Sequence, residues 1–380
     1  MAISVAATMV CSLPAFFTAA MAVQLSEDLD FGTVGIGAAV ATFFGTMALS
    51  SMHLGRIADR FGATISLRIA TIGAGIAAAG IAIASTDWLT LVAWLVLAGV
   101  SAALAQPATN RLLINRVRRD RLGTAFGLKQ SAPPTASMLA GLSVPAIALT
   151  VGWRWGYGLL AILAVLVAVA VGPRPPTAPS RRPMTSSGKP LPLRDRPTLV
   201  VLAASFGLAF ATSSVVLAFY VDAAVRAGSS PRHAGLVFAA ASFAAVATRL
   251  AAGVACDRFP IDPLRLSATL LVVGALGQGL LATGRPAVMT LGAVLGLAGT
   301  WGFPGVFWFA LVRAYPETPG RITGTMAPAA IGGIVGPIAF GTLATNVGYS
   351  SAWGVSGVVA VLAAAAMLFA ARQLAATRPA

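Results

Sequence analysis

Long apolar runs separated by short polar or charged segments extend over the whole chain. The runs 1–26, 88–110 and 286–312 each exceed the ~20 residues that a helix needs to cross ~30 Å of hydrocarbon. The uncharged run 322–371 is too long for one span, and the polar residues around Gly348 indicate a turn within it. The pattern predicts an all-α membrane protein with twelve transmembrane helices.

The predicted spans, numbered 1 to 12 along the chain, fall into two sets of six. They cover residues 4–25, 33–54, 66–85, 88–115, 122–150, 155–172, 198–225, 232–252, 264–283, 286–314, 320–346 and 350–372. Between the sets, residues 173–197 contain eight prolines, six basic residues and one acidic residue, a composition that does not form a packed core. We predict an N-terminal bundle (1–172), a cytoplasmic linker (173–197) and a C-terminal bundle (198–380). The linker is interpreted as a solvated tether, with binding to anionic lipid as the alternative.

Composition and charge placement favour the same class of protein. Hydrophobic residues make up 57% of the chain and charged residues 10%, whereas soluble domains carry ~25% charge. The net charge of +15 would suit a nucleic-acid-binding protein, but the basic residues cluster between the apolar runs. Of 26 basic residues, 20 lie on one side of the predicted topology and four on the other. This bias predicts a multi-pass protein of the cytoplasmic (inner) membrane with both termini in the cytoplasm.

A short charged motif occurs once in each half of the chain, at residues 55–62 and 253–260. Both copies place a glycine four residues before an Asp-Arg-Phe triplet, and Asp59 and Asp257 are 198 residues apart. The copies follow spans 2 and 8, and we interpret each as a short loop between two spans. Similarity between the two halves of a chain is typical of transporters built from repeats.

Twelve spans, a 6+6 division, a basic central linker and the doubled motif together resemble the major facilitator superfamily over essentially the whole chain. The resemblance implies two six-helix halves around a substrate cavity at mid-membrane, which rock to expose it alternately to each side. Carried over to this sequence, the motif assigns gating roles to Gly55, Asp59, Arg60, Gly62, Gly253, Asp257 and Arg258. For Asp59, a solvated loop acid is the alternative. The chain departs from the family pattern at Ala63, Pro260 and Leu95, where the family has a basic residue, a glycine and an arginine.

The cation Lys129 lies within predicted span 5. Seven residues beyond its start at Leu122, Lys129 would be ~10 Å deep at 1.5 Å per residue. An ammonium group at that depth is costly unless it meets water, a partner or a substrate. Lysine can also extend its stem back to the membrane surface, so a cavity position and an interfacial position both remain open.

Other polar and aromatic residues of the spans are candidates for lining the cavity. Pro107 follows the polar residue Gln106 and can bend span 4 toward a cavity. For the aromatic residues of span 10, ordinary helix packing is the alternative, and for Arg249 interfacial anchoring is favoured over an anion or gate contact. With Lys129, the candidates are Gln106, Asn110 and Arg111 in span 4, Gln130 and Ser131 in span 5, and Trp301, Phe307 and Trp308 in span 10.

None of the eleven acidic residues falls at the middle of a predicted span. Asp222, three residues from the end of span 7, is therefore the one candidate for coupling to a proton or another ion, although a plain acid at the membrane boundary is favoured as its interpretation. Cations without a central acid predict a small organic anion as the substrate of a secondary active transporter. The alternative is an exporter of hydrophobic drugs or metabolites, from the aromatic residues of span 10.

Enzyme classes are disfavoured by the lack of suitable motifs. The two histidines are 180 residues apart, and the sequence has neither a His-Glu-x-x-His nor a Gly-x-Ser-x-Gly motif. We expect no catalytic residue, no metal and no cofactor. The expected partners are the lipid bilayer, a small-molecule substrate and a coupling ion, with no nucleic acid, and the protein is expected to be a monomer.

Overall fold

The computed structural model describes residues 2–116, 130–171, 196–315 and 326–377, and within these ranges all regular secondary structure is helical. A π-helical segment, Val144–Ala148, follows α6, and a 3-10 segment, Ala327–Ile331, precedes α12. The α-helices are α1 Ala2–Ala20, α2 Ala22–Asp28, α3 Thr33–Phe61, α4 Ala63–Ala84, α5 Trp88–Arg116, α6 Ala132–Ser143, α7 Trp153–Ala170, α8 Arg196–Arg226, α9 Pro231–Arg258, α10 Pro263–Leu281, α11 Pro286–Ala314, α12 Gly332–Val347 and α13 Tyr349–Thr377.

The helices reproduce the predicted order of membrane spans. Ten stretches of helix in the described ranges are long and apolar enough to cross a membrane. The helices α1 and α2 meet at an angle of 70° where the sequence had predicted one continuous helix, and they make an eleventh span if this bent pair is counted as one. The second part of predicted span 5 appears as α6 with the π-helical segment, and its first part lies outside the described residues. The protein is therefore an all-α, multi-pass membrane protein.

Contacts between Cα atoms divide the chain into two compact units, which are described separately. Unit 1 contains Met1–Ser180 together with Leu217–Phe243. Unit 2 contains Arg181–Val216 together with Ala244–Ala380. The predicted division at residues 173–197 assigns 217–243 to the C-terminal bundle instead, and that division remains a prediction.

In unit 1, α4 packs against α5 and α7, α3 packs against α5, and α1 packs against α5 and α6. Hydroxyl groups join some of these helices. Thr18 on α1 is 2.8 Å from the hydroxyl of Tyr157 on α7, and Thr8 on α1 is 3.3 Å from the hydroxyl of Thr109 on α5. At one end of the unit, the Trp153 indole donates to the Asp28 carboxylate at 2.8 Å. These bonds connect the span formed by α1 and α2 with two of its neighbours.

In unit 2, α10 packs against α11 and α13. The contact with α11 depends on glycines, because a Cβ added at Gly292 would lie 2.8 Å from the carbonyl oxygen of Gly277. A core of apolar side chains from α8, α10, α11 and α13 fills the inside of the unit. Large apolar side chains also point outward from both units, as at Ile83 in unit 1 and Leu276 in unit 2, which are 84% and 62% exposed. In a membrane-spanning chain such side chains contact lipid.

Candidate functional site

The two copies of the charged motif lie on helices, where the sequence had predicted loops. In the first half, α3 continues through Phe61, and only Gly62, at φ +82°, separates it from α4. In the second half, α9 continues through Arg258, and four residues precede α10, whose first turn is capped by Asp262. Helix continues because the motif contains no internal proline or other strong helix breaker between its glycine and its phenylalanine. The loop interpretation was therefore wrong for both copies.

The motif residues differ in exposure. Gly55 is half-buried, while Arg60, Gly253, Asp257 and Arg258 are exposed. A Cβ added at Gly55 or at Gly253 would meet no atom within 4 Å. The side chain of Asp59 lies outside the described part of the structure, as do residues 316–325, which contain the beginning of predicted span 11. The gating roles of all these residues remain predictions.

The candidates in spans 4 and 5 are described only in part. Gln106 is half-buried on α5, immediately before Pro107. Gln130 is half-buried and Ser131 is 6% exposed, both just before α6. The side chains of Asn110 and Arg111, and the whole of Lys129, lie outside the described residues. The proposed cavity wall formed by these two spans therefore remains a prediction.

Unit 2 contains a group of polar contacts that joins α8, α9 and α11. The hydroxyl of Ser213 on α8 lies 2.7 Å from the carbonyl oxygen of Thr300 on α11. The Trp301 indole donates in the opposite direction, to the carbonyl oxygen of Ser213 at 3.0 Å. The guanidinium of Arg249 on α9 donates to the carbonyl oxygen of Trp301. Trp301, a predicted cavity residue, is 8% exposed and is held at its backbone carbonyl by Arg249 and at its indole by Ser213.

The aromatic candidates of span 10 belong to a cluster around Phe206 on α8. The ring of Phe206 lies 4.8 Å from the ring of Phe307, 5.5 Å from Phe303 and 5.7 Å from Trp308. Phe307 is fully buried in the core of unit 2, whereas Trp308 is half-buried at its margin. Phe307 therefore takes part in helix packing, the alternative considered from the sequence. Part of the Trp308 side chain remains exposed and accessible to a solute.

Two charged residues are buried among the described residues whose side chains are placed, Asp222 and Arg249. The carboxylate of Asp222, 5% exposed, accepts from the guanidinium of Arg226 on the next turn of α8 at 2.9 Å. Asp222 therefore lies inside unit 1, where a plain boundary acid would be exposed. Arg249 is 7% exposed, so the interfacial position favoured by its sequence context was wrong.

A close crossing of α6 and α9 connects residues 217–243 with the rest of unit 1. A Cβ added at Gly141 would lie 2.7 Å from both the nitrogen of Ala239 and the carbonyl oxygen of Gly235. Four residues earlier on α6, the hydroxyl of Ser137 is 2.7 Å from that of Ser242. The two backbones can approach this closely only because neither helix carries a large side chain at the crossing.

Sequence reasoning missed Ser213, Ser242 and the burial of Arg249. A serine in an apolar span is common and points to no particular partner. For Ser213 one signal was available: Pro304 on span 10 removes the backbone donor of the Thr300 carbonyl, and a side chain of a neighbouring span can supply one.

Comparison with known proteins identifies the family. The family model described as Major Facilitator Superfamily matches residues 3–330. No curated protein sequence matches the chain. Among solved structures, a bacterial homologue of the human lysosomal transporter Spinster, in an inward-facing and occupied conformation, is similar with a TM-score of 0.78 at 14% identity, covering 100% of this chain and 97% of that one. A D-xylose-proton symporter is similar with a TM-score of 0.77 at 17% identity, covering 96% of each chain.

The xylose transporter XylE from E. coli, in a partially occluded inward-open conformation, is also similar, with a TM-score of 0.77, 16% identity and 97% of each chain covered. At these identities the structural neighbours establish the fold alone. The family model covers most of the chain, and the order of the helices agrees with it. The chain belongs to the major facilitator superfamily of membrane transporters.

Proposed function

We propose that the protein is a secondary active transporter that carries a small organic anion across the cytoplasmic membrane by alternating access. Membership of the superfamily, over residues 3–330, is the observation that carries the transporter class. The charged motif, at the same helix end of span 2 and span 8, supports a mechanism in which equivalent elements of two repeats move. The protein acts as a monomer and requires no cofactor.

An anionic substrate is proposed from the cations of spans 4 and 5. Lys129 and Arg111 lie near the ends of these spans that the topology places toward the cytoplasm. Bringing an ammonium and a guanidinium into the membrane is costly, and a bound carboxylate or phosphate would offset that cost. These two residues, with Gln106, Asn110, Gln130 and Ser131, form the proposed binding surface.

Replacement of Lys129 tests the substrate class. Lys129→Met preserves length and apolar contact but deletes the charge, so it should reduce anion uptake into proteoliposomes ~10- to 150-fold, the loss of a charge-assisted contact. Lys129→Arg should retain part of the uptake. The control is Lys189→Met, which removes the chain's other lysine, from the linker. Normal uptake by Lys129→Met would reject the anion and leave the hydrophobic substrate as the better candidate.

That second candidate, a hydrophobic drug or metabolite, is favoured by the cluster around Phe206. Trp308 is the half-buried member of this cluster and could contact an apolar solute. Trp308→Ala should then weaken binding of a fluorescent apolar dye to the purified protein, while Trp155→Ala, at an exposed position on α7, should leave it unchanged. Equal dye binding by both variants would argue against this candidate.

We assign ion coupling to Asp222, whose buried carboxylate pairs with Arg226. A buried carboxylate that gains and loses a proton can link proton movement to a conformational change. The similar D-xylose-proton symporter makes a proton the ion to test first. Asp222→Asn should abolish accumulation driven by a pH gradient while allowing exchange of substrate down its own gradient. Accumulation at the normal level would remove Asp222 from coupling.

Asp59 is proposed to stabilise the state in which the cytoplasmic side is closed. A carboxylate at a helix end can accept bonds from the positive N-terminus of another helix, a contact that forms in one state of the cycle. Asp59→Asn should slow transport with nearly normal expression, and Asp257→Asn provides the comparison in the second repeat. A normal transport rate in both variants would contradict the gating role.

We propose that both termini and the linker face the cytoplasm, which the bias of the basic residues supports. Thiol labelling of Ser187→Cys, with Cys11 and Cys256 replaced, should therefore require permeabilised cells. Labelling by a membrane-impermeant reagent in intact cells would reverse the topology.

A further inference from the structure

The starting point is a hydrogen bond that α11 cannot make. Pro304 lies inside this helix and has no backbone N–H, so the carbonyl of Thr300 lacks its usual donor four residues later. Both Thr300 and Trp301 are buried within unit 2, in a segment of the chain that crosses the membrane. A buried carbonyl without a donor is costly, and a side chain of a neighbouring helix can supply the missing bond.

Ser213 on α8 is one such neighbour. Its hydroxyl oxygen lies 2.7 Å from the carbonyl oxygen of Thr300 and also 2.7 Å from that of Ala209 on its own helix. The hydroxyl has a single hydrogen to donate. Ala209 already has a helical donor available, the N–H of residue 213, whereas Thr300 has none from its own helix. Donation of the hydroxyl hydrogen to Thr300 therefore satisfies a carbonyl that lacks a donor, whereas donation to Ala209 would add a second bond to a carbonyl that already has one.

Arg249 on α9 is the second neighbour. Its guanidinium donates to the carbonyl oxygen of Trp301, the residue that follows Thr300. The stem of Arg249 reaches this carbonyl alongside Gly305, where an added Cβ would lie 3.4 Å from the arginine Cγ. Two consecutive carbonyls beside the proline thus accept bonds from two different helices.

We propose that Ser213 and Arg249 cap the carbonyls beside Pro304 and thereby hold α8, α9 and α11 of unit 2 in a fixed arrangement. Arg249 is a positioning residue in this arrangement: it fixes the backbone of Trp301, whose indole donates back to Ser213. A charged donor forms a stronger bond to a carbonyl than a neutral one, which accounts for an arginine deep in an apolar unit. The assignment does not depend on the identity of the transported solute.

A double-mutant cycle tests the Ser213 cap. Ser213→Ala should lower the melting temperature of the purified full chain in lipid nanodiscs by about 2–4 °C. In the Pro304→Ala background the same change should cost less than about half as much, because the restored N–H at position 304 can donate to Thr300. Equal losses in the two backgrounds would overturn the cap.

Hydrogen–deuterium exchange tests Arg249 and does not require the Pro304 variant to fold. Arg249→Met should speed amide exchange roughly 10-fold in peptides from 300–310 while leaving α13 unchanged, because the contact is local to α11. Arg249→Lys, which keeps a charged donor, should restore most of the protection. The control is Arg313→Met, at an exposed cation near the end of the same helix. Unchanged exchange in α11, or equal acceleration in α11 and α13, would overturn the positioning role.

A substrate-binding role for Arg249 is a distinct outcome. Succinate or benzoate would then raise the melting temperature of the unmodified protein but not that of Arg249→Met, with α11 exchange the same in both proteins. That result would replace the positioning role by direct anion contact. The positioning role predicts that α11 exchange changes in Arg249→Met without added anion.

Discussion

The proline-bearing helices of the two repeats share a backbone feature but differ in the side chains around it. Pro107 on α5 and Pro304 on α11 occupy matching places in spans 4 and 10. At the repeat offset of 198 residues, Ser213 corresponds to Ala15 and Arg249 corresponds to Ser51. Ala15 is buried and has no donor, and Ser51 is exposed and donates to Ala48 of its own helix at 2.7 Å. The first repeat therefore has neither of the two caps at the equivalent positions.

The first repeat uses neutral hydroxyl groups near its proline. Thr109, two residues after Pro107, donates to the carbonyl oxygen of Ala105 at 2.6 Å and lies 3.3 Å from the hydroxyl of Thr8 on α1. Near its proline, the second repeat links helices through the charged donor Arg249. The first repeat links helices near its proline through the threonine pair Thr8 and Thr109. The repeats are thus copies in backbone arrangement, but each stabilises its proline helix with different chemistry.

Glycine contacts, by contrast, are shared by both repeats and should show the largest effect. A Cβ added at Gly141 or at Gly336 would lie 2.6–2.7 Å from backbone atoms of a neighbouring helix, which cannot move aside like a flexible side chain. Gly141→Val and Gly336→Val should each cost about 3 kcal/mol and reduce the monodisperse fraction in size-exclusion chromatography. Gly158→Val, with no atom within 4 Å of the new Cβ, is the control. A normal yield for Gly141→Val would show that α6 and α9 are not packed this closely.

Matched substitutions at Arg249 and Ser51 should affect the stability of the protein to different extents. Arg249→Met should destabilise the protein by about 1–3 kcal/mol, since it removes the charged hydrogen bond to the buried carbonyl of Trp301. Ser51→Met, at the equivalent exposed position, should change stability by less than about 0.5 kcal/mol. Thermal unfolding followed by tryptophan fluorescence measures both. Similar losses at the two positions would mean that the repeats do not differ here.

The two helix connections give the smallest expected difference. Gly62 alone joins α3 to α4 with a φ of +82°, which a residue with a Cβ adopts at a cost, so Gly62→Ala should destabilise by about 1 kcal/mol. The corresponding connection in the second repeat has four residues, and Pro260→Ala should cost less than about 0.5 kcal/mol. The same melting experiment applies. Equal effects would show that the one-residue connection carries no special strain.

The sequence was sufficient for the fold because the information lies in long patterns. Apolar runs, turn residues and the repeat offset fix the number and order of spans without reference to any single contact. The 70° bend beside Met21 was not predicted, since no proline or glycine marks it. The continuation of α3 to Phe61 was missed because charged residues were taken to end the helix, whereas they end only its apolar part.

Individual site residues were harder to predict because their meaning depends on distant partners. Lys129 and Asp222 can be recognised from the sequence because they are charged residues within apolar segments. Ser213 does not, and its importance follows only when a proline 91 residues later is placed beside it. The burial of Arg249 likewise follows only when its partner, the carbonyl of Trp301 52 residues later, is placed beside it.

The membership of 217–243 in unit 1 has a consequence for biogenesis. A chain synthesised from its N-terminus presents α6 to the membrane about a hundred residues before α9 has been made. During that interval Gly141 lacks the backbone of Gly235 and Ala239, against which it packs in the complete unit. The first half of this transporter therefore finishes folding only after part of the second half has been inserted.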